Sequence, residues 1–127
     1  MFNNLKTKKM KEFLLIFRND GMNGGINARK PTQEQIEANE KQWGDWMGGI
    51  AAKGKFVGGL RPGSEGKTVK SGNVITDGPY AEVKEILVGT AIVKADSIDG
   101  AVEFAKGCPV LMSGGNVEVR DLIPSTM

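Results

Sequence analysis

The chain predicts an α+β fold of the split βαβ, ferredoxin-like kind, with an inserted β-hairpin and helices on one face of an antiparallel sheet. Three observations lead there. Apolar runs of strand length and two segments of helical period follow one another as β-α-β-(hairpin)-β-α-β. Each helical segment opens on a capping residue. The first strand is apolar on both faces, so its sheet has one face that the helices leave uncovered.

Glu12-Phe13-Leu14-Leu15-Ile16-Phe17-Arg18 reads as that first strand. Residues 19–30 carry Gly21, Gly24, Gly25 and several Asn, which predicts a flexible loop. Thr32-Gln33-Glu34-Gln35 is a capping box, in which threonine and glutamine each satisfy the other's free backbone N–H. The helix it opens places Ile36, Trp43, Trp46, Met47, Ile50 and Ala51 on one face. Gly48 and Gly49 weaken its last turn, and Gly54 stops it.

Phe56-Val57-Gly58-Gly59-Leu60 reads as the second strand, with a bulge or bend at its glycines. Residues 67–70 and 73–76 flank Ser71-Gly72 as a short exposed hairpin. Residues 86–95 form a central strand. Asp96 or Ser97 caps a second helix, with Ile98, Ala101, Val102 and Ala105 facing inward and Phe104 widening that face. Gly107 ends it and Pro109 prevents its continuation. Asn116-Val117-Glu118-Val119-Arg120 alternates strictly, as a half-buried last strand does.

At 127 residues the chain is one domain's length, and at 39% hydrophobic and 25% charged it has an ordinary globular composition. We expect a domain over 11–123, a disordered N-terminal tail over 1–10 and a short tail over 124–127; Met10 is an alternative start. The net charge is +2, and Lys6, Lys8, Lys9 and Lys11 concentrate positive charge at one end. A body close to neutral has no electrostatic footprint for nucleic acid. No apolar run reaches the ~20 residues of a membrane span, and residues 1–9 do not read as a signal peptide. Cys108 is the only cysteine, so no intrachain disulfide forms, which fits a cytoplasmic location. The chain has no histidine, which removes the commonest general base and metal ligand. We expect no metal site and no cofactor.

The chemistry-bearing stretch is Asp77-Gly78-Pro79-Tyr80-Ala81-Glu82-Val83-Lys84-Glu85, which runs into the apolar segment Ile86–Val93. Asp77 is either a carboxylate lining a cleft or an Asx-turn residue bonded to its own backbone. Glu82 and Lys84 share a face in extended geometry, as an acid–base pair or as a surface ion pair. Glu118 and Arg120 share a face opposite Val117 and Val119; they line the uncovered side of the sheet or form a salt bridge there. Arg61, after Gly58-Gly59-Leu60, is a candidate to reach a ligand, although the glycines lack phosphate-loop spacing. Trp43 and Trp46 read as core or interface anchors, and Cys108 as a small buried residue.

Residues 75–85 resemble the signature of the DGPF-domain proteins, in the YCII-related family, with Tyr80 where that family usually has phenylalanine. Gly59-Leu60-Arg61-Pro62, the helix start at Asp96-Ser97-Ile98-Asp99-Gly100-Ala101, Cys108-Pro109 and Val117-Glu118-Val119-Arg120 agree in order, so the resemblance covers nearly everything from Met10 to Ile123. It implies a dimeric α+β barrel of ferredoxin-like subunits. Related YCII-type proteins are small enzymes with a proposed His–Asp pair. This chain keeps Asp77 and has no histidine, so that pair does not carry over.

The expectation is a small cytoplasmic homodimer that binds a polar or anionic organic molecule in a cleft between its sheets. Its chemistry would be cofactor-free proton transfer of the isomerase or lyase kind. Asp77 or Glu82 would be the base, Lys84 or Arg120 the charge stabiliser, Tyr80 a hydroxyl donor, and Arg61 and Glu118 further ligand contacts. The alternative is a non-catalytic binding or regulatory accessory protein whose Asp-Gly-Pro-Tyr motif is structural.

Overall fold

The computed structural model describes residues 10–19, 32–63, 65–77 and 86–123, with Thr76 and Asp77 described for backbone only. Strand β1 spans Lys11–Asn19, helix α1 Gln33–Ala52, β2 Phe56–Leu60, β3 Lys67–Lys70, β4 Val74–Asp77, β5 Ile86–Ala95, helix α2 Ile98–Ala105 and β6 Asn116–Asp121. Strands β2-β5-β1-β6 form one antiparallel sheet, and β3-β4 a separate two-stranded one. Two strands contributed by each βαβ half interleave, and both helices pack on the same face. This is the ferredoxin-like arrangement the element order predicts.

Register assigns every side chain to a face, because residues paired across strands point the same way. Phe13, Leu15 and Phe17 of β1 are buried under the helices, with Ala91, Val93 and Ala95 of β5 beside them. Val117 and Val119 of β6 pair with Phe17 and Leu15 and pack on the same core. The opposite, helix-free face carries Leu14 and Ile16, with Ile92 and Thr90 across one boundary and Arg120 and Glu118 across the other.

Helix α1 forms because its cap is complete. Thr32 accepts from the Gln35 N–H at 3.1 Å, and Gln35 accepts from the Thr32 N–H at 2.9 Å. Its apolar positions Trp43, Trp46, Met47 and Ile50 recur at one-turn spacing, and Ile50 is fully enclosed. The chain leaves the helix through Gly54, whose φ of 71° is left-handed, as the expected stop requires. Ser97 caps α2 by accepting from Gly100 N–H at 3.2 Å. The small residues Ala101 and Ala105 let α2 lie close on the sheet.

Four details differ from the sequence reading. Ile36, in the first turn of α1, and Ala51, in its last, are exposed. Ile98 opens α2 before that helix has turned onto the sheet, and is exposed as well. Asn73 belongs to the hairpin turn rather than to β4, with φ 63° beside Gly72 at 81°. A 3-10 turn over Pro109–Ser113 follows α2 and buries Cys108, Pro109 and Val110 against the core. Among the described residues no helix is long and apolar enough to cross a membrane.

Candidate functional site

A cavity of about 700 Å³ opens between α1, the end of β2 and the start of β5. That size suits one small organic ligand. One wall is α1, through Asn39, Trp43 and Met47, which recur every four residues along one stripe of the helix. Phe17 and Phe56 contribute their helix-facing side chains from β1 and β2. Leu60, Arg61 and Pro62 form one lip, and Val88, Gly89 and Thr90 the other.

The cavity exists because two helix-facing positions carry no side chain. Gly59 pairs with Ala91 on the side that faces α1. Gly89 pairs with Phe17 on the same side. A Cβ on Gly89 would stand 2.9 Å from the Leu60 carbonyl oxygen and 3.8 Å from Arg61 Cγ, so glycine is what lets the β2 end approach β5. The expected irregularity of β2 is present as a register shift between Phe56 and Gly58.

The aromatic wall is ordered by ring contacts. Phe17 meets Trp43 edge to face at 5.0 Å between centroids and Trp46 at 5.7 Å. Trp46 turns away from the cavity, and its indole N–H donates to the Phe104 carbonyl at 2.9 Å, tying α1 to α2. Trp43 lines the cavity. Arg61 is the only charged side chain among the described lining residues.

Of the residues expected at a site, Arg61 is at this cavity. Asp77 ends β4, where its backbone pairs with Lys67. Tyr80, Glu82 and Lys84 lie outside the described residues. Glu118 and Arg120 are on the helix-free face, opposite the cavity, and they are bonded to each other. Arg120 Nη1 donates to Glu118 Oε2 at 2.9 Å, and Arg18 Nη1 donates to Glu118 Oε1 at 2.5 Å. Arg120, then Arg18, holds the Glu118 carboxyl below the usual carboxylate range. Arg61 follows β2 and the Glu118–Arg120 pair lies on β6, so the two stand at opposite edges of the four-stranded sheet.

Cys108 is fully enclosed, and burial pushes its thiol up to about 11, which keeps it protonated and unreactive at neutral pH. Among the described residues no three metal-ligating side chains cluster. The lining residues Asn39, Met47, Phe56, Val88 and Thr90 were not legible as a site. Their one signal was a pair of glycines, Gly59 and Gly89, at inward positions of strands that otherwise read as core.

A family model described as the YCII-related domain matches residues 25–126. The chain belongs to that family, in agreement with the resemblance carried by its sequence. No curated protein matches it.

Proposed function

This member of the YCII-related family, we propose, binds a small organic molecule in the cavity between α1, β2 and β5, and does so as a homodimer. The observation that carries the reading is the cavity itself: about 700 Å³, walled by Phe17, Trp43, Met47 and Phe56, with the cationic Arg61 at its lip. Apolar walls with a few polar groups are what an organic ligand needs for both affinity and orientation. This position differs from the expectation from sequence, which put the ligand between the two sheets of a dimer. The Glu118–Arg120 pair fits a structural part better, because Glu118 already accepts from two guanidiniums.

Any chemistry on the bound molecule would be cofactor-free proton transfer, with Asp77 and Glu82 as the candidate bases. The accessory-protein alternative shares the cavity and lacks that step. Fragment screening by NMR tests the binding reading. Hits should perturb Phe17, Trp43, Met47 and Phe56 together. Hits that map to the helix-free face instead, or a diverse library with no hit, would sink it.

A further inference from the structure

We infer that the ligand is a monoanionic carboxylate with a flat apolar body, its carboxylate held by Arg61 and its body set against Phe17, Trp43 and Phe56. This rests on the binding reading above and adds the class of ligand to it.

The charge argument comes first. Among the described residues no carboxylate pairs with Arg61, whereas Glu118 takes up Arg18 and Arg120 on the other face. Arg61 is followed by Pro62, which holds the residue before it in extended backbone. Its Cα and Cγ lie 3.7 and 3.8 Å from where a Gly89 Cβ would be, so the start of its side chain packs over bare β5 backbone. Arg61 lines the cavity lip, and a planar guanidinium carries two parallel N–H donors that match a carboxylate bidentately.

The same surroundings disfavour a phosphate. Phosphate sites gather several cations or the free N–H groups of a helix start. Among the described residues a single arginine lines the cavity, and the first turn of α1 is closed by its own capping box. Among the described lining residues the other polar side chain on this side of the sheet is the neutral Asn39 amide, since Thr90 pairs with Ile16 on the helix-free face and reaches the cavity edge through its backbone. The amide suits a hydrogen bond to a carboxylate or a ring substituent.

The shape argument concerns the walls. Phe17 and Trp43 meet at 72°, an edge-to-face arrangement that a further ring extends at little cost. The unbranched Met47 thioether completes the same wall and adapts to a flat face. The bare backbone at Gly59 and Gly89 leaves a low surface across from α1, against which a flat ring can lie.

A matched pair of probes isolates the charge: 3-phenylpropionate and its uncharged isostere 3-phenylpropanamide, each titrated into the full chain by calorimetry and tryptophan fluorescence. The acid should bind at least tenfold more tightly than the amide. Arg61→Gln should remove that preference, leaving both probes equally weak, and Arg61→Lys should restore part of it. Equal binding of acid and amide to the parent protein, or a preference that survives Arg61→Gln, overturns the inference. So does the failure of both probes to bind at millimolar concentration. Neutral fragments that perturb Phe17 and Trp43 in the NMR screen would then leave the cavity reading standing and remove only the carboxylate.

Discussion

Single glycines in this chain have opposite costs, and the difference can be read atom by atom. Gly48 lies inside α1 with nothing within 4 Å of the position a Cβ would take. Alanine there reduces the freedom of the unfolded chain and meets no obstacle. Gly89 is the reverse: its Cβ would stand 2.9 Å from a backbone oxygen of the neighbouring strand, which moves only with the whole β2 end. We expect Gly48→Ala to raise stability by about 0.5–1 kcal/mol and Gly89→Ala to lower it by about 1–3 kcal/mol, both by denaturant unfolding. Gly89→Ala should also weaken ligand binding, because the Arg61 lip moves with the strand. Equal melting of the two variants would show that β2 and β5 do not approach as described.

Among elements, β6 shows how a strand is held in register by one buried row and one charged row. Val117 and Val119 face the core, and Glu118 ties β6 to β1 through Arg18. The folded-state pKa of Glu118 is depressed, so its stabilisation is present above the unfolded carboxylate value near ~4.3 and is lost as pH falls through the lower folded value. Glu118→Gln should therefore leave a shallower acid limb in a stability–pH profile below about pH 5, with little change at pH 7 beyond that of an exposed ion pair. An unchanged acid limb would mean that the Arg18–Glu118 pair does not form in solution. Elements of this kind were legible in the sequence because they obey local rules: Thr32 and Gln35 cap, Val117 and Val119 alternate, and Ser97 starts α2. The 3-10 turn at Pro109–Ser113 was not, because Pro109 and Val110 are buried by tertiary packing rather than by any period of their own. The cavity was hidden for a related reason. Charged residues around Asp77 and Glu82 draw the eye, whereas a pocket made of missing Cβ atoms and core aromatics leaves no polar pattern to find. Of the seven residues expected at a site, Arg61 alone lines it among those described, and the glycines that place Arg61 carried the more useful signal.

At the scale of the whole molecule, apolar surface remains that one copy does not cover. The helix-free face presents Leu14, Ile16 and Ile92 in adjoining register, and Leu60 beside Thr90 is 79% exposed. The hairpin adds Val69 and Ile75, a cross-strand pair exposed by 67% and 61%. A two-stranded ribbon with both members of its apolar pair in water is marginal on its own. Burying such a face returns about 25 cal/mol for each Å² of apolar surface. A second copy is the natural cover, since the self-complementary meeting of two identical faces needs only a two-fold axis. The Arg18–Glu118–Arg120 chain would then stand at the rim of the apolar patch, where already paired charges cost little to approach. An interface of this kind should bury more than about 1,200 Å² in total. Light scattering at micromolar concentration should give twice the chain mass. Ile92→Lys should halve it while far-ultraviolet circular dichroism stays unchanged, because the side chain lies outside the helix-covered core. Val69→Lys tests the hairpin separately: weakened association places it in the interface, and parental association confines the interface to the sheet. A parent protein that is monomeric under these conditions would remove the dimer and leave the cavity between α1, β2 and β5 as a property of the single chain.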